Sequence, residues 1–186
     1  MKDFMTKVEQ SGFVPEIAPY ERNDPYGEKL RMEAYAIGAN RLLIPTNYLQ
    51  GTQTADGYGS HKGKRAEKAL ETYGMNFLLK YPIIATAIFT DGNADIYVED
   101  GHHRTIKAIK HDFPEMPTLL LTVEQMSEVQ RHLGRIPNTP KEVGLKLIME
   151  SFEAIDSLQR RGVKNFGLTI QGVSNMKELT TRFATF

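Results

Sequence analysis

The apolar positions change period along the chain. Between residues 82 and 123 they come in short unbroken runs: PIIATAIF (82–89), ADIYV (94–98) and TLLLTV (118–123). Runs of this length and composition predict buried strands. Thr90-Asp-Gly-Asn93 separates the first two, so 82–98 predicts a β-hairpin. An earlier run, RLLIP (41–45), predicts another strand. Elsewhere the spacing is helical. Ala66, Ala69, Leu70 and Tyr73 predict a helix over 64–73, with Gly74 as its C-cap. Short helices are expected at 28–37, ending near Gly38, and at 103–111, stopped by Pro114 and Pro117. Beyond Val123 the pattern is helical: 123–133, a long helix, and 175–183. The long helix opens with Thr139 as N-cap and Pro140 at its first position. Val143, Leu147, Phe152, Ile155 and Leu158 form its apolar stripe, and it ends before Gly162.

Three regions follow from this pattern. Residues 1–40 form an N-terminal lead, in which Pro15, Pro19 and Pro25 favour extended or looped chain. Residues 41–123 form a strand-containing core, and 124–186 a helical C-terminal region. Within the core, 46–63 is polar and glycine-rich and reads as a loop.

Composition narrows the classes. The chain is 40% hydrophobic and 25% charged, an ordinary globular balance. It has no cysteine, which excludes disulfides, zinc–thiolate sites and a cysteine nucleophile and points to a cytoplasmic protein. The N-terminal residues carry charges throughout, so no signal peptide is expected. The apolar runs are too short to span a bilayer, so no membrane partner is expected. Net charge is zero and stays nearly flat along the chain, which lends DNA binding no support.

The chemistry concentrates in Asp100-Gly-His-His-Arg-Thr105, between a strand and a helix. Glycine lets the backbone turn there without steric cost. The first amides of the helix lack intrahelical partners and carry the positive end of its dipole, which suits phosphate. Arg104 offers a fork for phosphate oxygens and Thr105 a hydroxyl. His102 and His103 can donate hydrogen bonds or move protons near neutral pH. Asp100 can orient a histidine or meet a metal-bound nucleotide. Adjacent residues on a helix point about 100° apart, so His102 and His103 do not suit one ion. Asp100, His102 and His111 make no recognised ligand set, so a dedicated metal is not expected. Mg²⁺ arriving with a nucleotide is.

IYVEDGHHRTIKAI (96–109) resembles the strand–turn–helix signature of the ParB/sulfiredoxin superfamily. The order of flanking segments is similar too: a strand leading to a glutamine (RLLIPTNYLQGTQ, 41–53), a helix, a Pro-Ile strand, the signature, and a strand after a proline (MPTLLLTV). The resemblance covers 41–123. It implies an α+β fold, a small mixed sheet flanked by helices, here with a helical C-terminal extension. It also implies that Gly101, His102, His103, Arg104 and Thr105 bind nucleotide phosphates, with Thr52 and Gln53 near the nucleotide (ATP, ADP or CTP). Known members include CTP-hydrolysing partition proteins, ATP-using sulfiredoxins, an ADP-dependent serine kinase, and plasmid proteins with ATPase and nuclease activity.

The departures from the family matter. Sulfiredoxin needs a cysteine where this chain has His102, so that activity is excluded. The partition-type signature carries Glu-Arg-Arg where this chain has His102-His103-Arg104, and no helix-turn-helix follows. The serine kinase uses a catalytic glutamate just after the first strand; this chain offers Gln50 and Gln53, and Glu99 is the substitute at hand. Strand alternation would point Glu99 away from Asp100's side. The candidate catalytic residues are therefore His103, Asp100 and Glu99.

Three functions compete. One is a nucleotide-dependent hydrolase or phosphotransferase. Another is a ParB-like DNA-binding or nuclease accessory protein of a plasmid, phage or bacterium. The third is a non-catalytic regulator. Lys62, Lys64 and Arg65 form a basic cluster that could close over phosphates or touch nucleic acid, and residues 50–63 could act as a lid. Arg160, Arg161 and Lys164 suit a helix C-terminus. The stripe 143–158 packs the core and offers a homodimer face.

Overall fold

Alternation along the three central strands sorts side chains onto two faces of a sheet, and the architecture follows from what covers each face. The computed structural model describes residues 25–53, 61–160, 162–163 and 166–186. Most of the N-terminal lead, the tip of the expected lid, the Lys62 side chain, Arg161 and Lys164 lie outside those residues.

Six strands form one mixed sheet: β1 (Asn40–Pro45), β2 (Leu49–Gln50), β3 (Ile83–Thr90), β4 (Asn93–Asp100), β5 (Glu115–Thr122) and β6 (Ile170–Gln171). The order is β1-β5-β3-β4-β2, and β6 also pairs with β4. β3 and β4 form the expected antiparallel hairpin. β5 runs parallel to β3 and antiparallel to β1. β2 runs parallel to β4. The helices are α1 (Pro25–Ala36), α2 (His61–Tyr73), α3 (Met75–Lys80), α4 (His102–Lys110), α5 (Val123–His132), α6 (Pro140–Arg160) and α7 (Met176–Arg182). The chain is thus α+β, a mixed sheet between helices.

One face carries Leu42, Ile44, Ile83, Ala85, Ile96, Val98 and Leu120, packed against Leu70, Phe77, Leu78, Ala108 and Leu179. The opposite face carries Ile84, Tyr97, Leu119 and Leu121, packed against Leu30, Met126, Val129, Val143 and Leu147. A smaller cluster, Ile106, Ala154, Leu158 and Val163 with Ile109 and Phe166, joins the far end of α6 to α4. α6 therefore covers one face with its first half and reaches α4 with its second.

The region after residue 123 is woven into the core. It buries one face of the sheet and supplies β6. The amides of Gly167 and Leu168 bond to the carbonyls of Leu49 and Asn47, at 3.1 and 2.8 Å. Thr185 bridges Leu42 on the far edge.

Capping residues sit where their chemistry requires. Thr122 opens α5 through a reciprocal capping box with Gln125. The Thr139 hydroxyl accepts from the Glu142 amide at the start of α6, and Asn175 accepts from the Glu178 amide at α7. Besides β6, a strand in the region expected to be helical, three places depart from the sequence expectation. The polar stretch after Pro45 contains a single 3-10 turn and then β2. Gly74 ends α2 but also precedes α3. Pro117 lies inside β5 rather than before it. Proline is tolerated there because Leu43, opposite it, sends its amide to Ala184 instead, and the ladder to β3 begins one residue later at Thr118.

Candidate functional site

β4 ends at Asp100 and α4 begins at His102, so one residue, Gly101, makes the whole turn. Its φ is 96°, the left-handed region. A Cβ there would lie 2.6 Å from Ile83 Cγ2 and 2.9 Å from an Arg104 nitrogen. Backbone conformation and space both select glycine. Gly101, at the N-cap position of α4, brings no side chain of its own to the first amides. The first main-chain amides of α4 and the positive end of its dipole lie at this turn, beside His103.

Arg104 does not point outward as the phosphate fork anticipated from sequence. It is 2% exposed. Its guanidinium donates to the Tyr81 carbonyl at 2.6 Å and to Asp100 Oδ2 at 2.7 Å. It ties together the start of β3, the end of β4 and the first turn of α4. Asp100 is thereby occupied as the counter-ion of Arg104. Thr105 is buried as well, its hydroxyl donating to the Gly101 carbonyl at 3.2 Å. Arg104 and Thr105 hold the turn in shape.

His102 turns inward beside Thr52. The Thr52 hydroxyl donates to the Val98 carbonyl at 2.6 Å and lies 3.4 Å from His102 Nε2. A hydroxyl has one hydrogen, and Thr52 spends it on Val98. It can only accept from His102, which places the ring proton on Nε2. Nδ1 then carries a bare lone pair, and it is buried without a partner. Burial holds the His102 pKa down to about 4, with Asp100 pulling the other way and His103 and Arg104 adding to the depression. His102 is neutral at pH 7. Beside it, Leu49, Gly51, Val98, Thr105, Ile106, Ile109 and Phe166 line a small apolar pocket.

Glu99 lies on the opposite face of the sheet from Asp100, as strand alternation requires. There it accepts from the Thr86 hydroxyl at 3.3 Å, in the field of Lys146 and Glu150 on α6. Burial raises its pKa to about 7; Glu150 pushes the same way, while Lys146 and the Thr86 bond oppose. It is not placed to act at the α4 turn.

Compared with protein-family models and with curated proteins, the chain matches none.

Among the described residues of the early loop, Thr52 reaches the turn through His102. Gln53, one residue on, is exposed. Gln50 is buried and belongs to a different structure: it donates to Asp95 at 2.9 Å and accepts from Ser151 at 3.2 Å, while Thr169 donates to the same Asp95 oxygen at 2.7 Å. This network pins β2 and the loop after it to α6. Its signal in the sequence was Ser151, a polar residue in the buried stripe of α6. Lys64 is exposed and Arg65 partly buried in the first turns of α2. The link from α2 to α4 runs through Glu67 and Lys107, 2.7 Å apart. Among the described residues no group of three or more His, Asp or Glu could hold a metal ion. With Asp100 paired to Arg104, the side chains here do not fit a dedicated Mg²⁺ site.

Proposed function

We propose that the start of α4 holds a nucleotide phosphate and that the protein is a nucleotide-dependent hydrolase or phosphotransferase. The nine-residue helix that starts directly behind the left-handed Gly101 carries the proposal. In this reading the main-chain amides after Gly101 supply the anion site. His103, partly exposed on the first turn, adds a hydrogen bond and serves as the acid–base group. Neutral His102 lies beneath, and Arg104 keeps the amides preorganised from inside, which is the form of electrostatic stabilisation that costs no reorganisation on binding.

The test is calorimetric titration with ATP, ADP, CTP and GTP, with and without Mg²⁺, followed by a turnover assay on whichever binds. His103→Ala is expected to abolish turnover and weaken binding only several-fold. Absence of binding by all four at millimolar concentration would reject the phosphate site.

One observation favours a second reading, a regulator that binds nucleotide without turnover. Glu99 faces away and Asp100 is paired, so neither of the two candidate carboxylates stands ready to activate an acceptor. Tight binding with no turnover by the wild-type protein would select it.

A further inference from the structure

α6 is apolar on two sides. Val143, Leu147, Ala154 and Leu158 face the protein and are buried. On its outer side Leu145, Met149 and Phe152 are 51, 63 and 72% exposed, so Phe152, expected in the core-facing stripe, lies on the other side of the helix. Ile148 and Ile155 lie partly buried next to them. The spacing 145, 148, 149, 152, 155 is that of one continuous helical stripe. A single exposed leucine is ordinary, but an aligned row of large apolar side chains marks a contact surface.

We infer that this stripe is the interface of a two-fold homodimer, in which α6 packs antiparallel against α6 of a second copy about a point between Ile148 and Met149. The charge pattern selects that partner and that direction. The first half of the helix carries Lys141, Glu142 and Lys146, net positive, and the second half Glu150, Glu153, Asp156 and Arg160, net negative. An antiparallel two-fold sets the lysine half of each copy against the acidic half of the other. It places Lys141 opposite Asp156 of the second copy, Leu145 opposite its Phe152, and Ile148 opposite its Met149. These six positions fall within about 100° of the helix circumference, so one face presents them all. A parallel pairing would instead stack lysine on lysine and the carboxylates on one another. A two-fold interface must be self-complementary, and this stripe is. The ion pairs it would exchange, Lys146–Glu150 and Asp156–Arg160, are exposed ones, which contribute little on their own.

Sedimentation velocity of the full chain across a wide concentration range tests the inference. A concentration-dependent dimer is expected, and Phe152→Glu is expected to make it monomeric. Because Phe152 is exposed, the thermal melt of that variant should keep its cooperativity. Lys141→Glu should weaken the dimer several-fold, and adding Asp156→Lys should restore it. The chain has no cysteine, so an introduced thiol reports without interference. Met149→Cys, beside the two-fold, should form an intermolecular disulfide on mild oxidation. Leu145→Cys should not, because its own copy lies about 10 Å further along the helix. A wild-type chain that is monomeric at every concentration overturns the inference and assigns the stripe to some other partner. So does a dimer indifferent to Phe152→Glu. Failure of the charge swap to restore, or equal crosslinking of the two thiols, overturns the antiparallel register.

Discussion

Arg104 shows how far a residue's role depends on what surrounds it. Its type, just after a glycine turn, suggests a phosphate ligand, and that much is readable from sequence. Its direction is set by the Tyr81 carbonyl, 23 positions away along the chain, which no local pattern reveals. Arg104→Ala leaves that carbonyl and Asp100 without a partner in or near the interior. The unfolding free energy should fall by about 3 kcal/mol, measured by urea denaturation, whether or not a nucleotide is present. Glu99 makes a prediction of a different kind. Its carboxyl titrates near 7 when folded and near 4.5 otherwise. The folded state therefore binds the proton more tightly, and stability is lost as pH rises from about 4.5 to 7. Glu99→Gln should stabilise the protein at pH 8, on the order of 1–3 kcal/mol, and change little at pH 4. An equal effect at both pH values would mean that the buried charge is not the cause. His102 works in the opposite sense: its depressed pKa makes stability fall as pH drops from 6.5 towards 4.

At the scale of elements, legibility followed locality. The hairpin β3–β4, the strand β5 and the helices α5, α6 and α7 carry their own apolar period and caps, and they stand close to where the sequence put them. β2 and β6 have two residues each. They exist because β4 offers them a partner, so nothing within them announces a strand. Contacts between elements are no more legible. Gly51 illustrates this: a Cβ there would meet Leu158 Cδ1 of α6 at 2.8 Å. Gly51→Ala should cost about 1–3 kcal/mol through overpacking. The cost should shrink in a Leu158→Ala background, where the space has been opened. A double-mutant cycle reads the coupling directly, and additive costs would mean the helix does not press on the strand.

At the scale of the whole molecule, the boundary near residue 123 separates two patterns of sequence rather than two bodies. α6 covers one face of the sheet, and its far end joins the cluster with Ile106 on α4. Thermal or urea unfolding followed by tyrosine fluorescence and by far-ultraviolet circular dichroism should therefore give one coincident transition. Truncation after residue 139 would bare Ile84, Tyr97 and Leu121, and the fragment should lose its cooperative transition. Independent melting of the first 139 residues would contradict the packing described above.

The Gln50 network also imposes a timetable. Its four members come from positions 50, 95, 151 and 169, and the strand they secure leads to Thr52, which backs His102. During synthesis the DGHHR turn leaves the ribosome well before the residues that pin its neighbour. A nascent chain therefore carries the motif without the support beneath it, and the site is completed only when Ser151 and Thr169 have emerged as well.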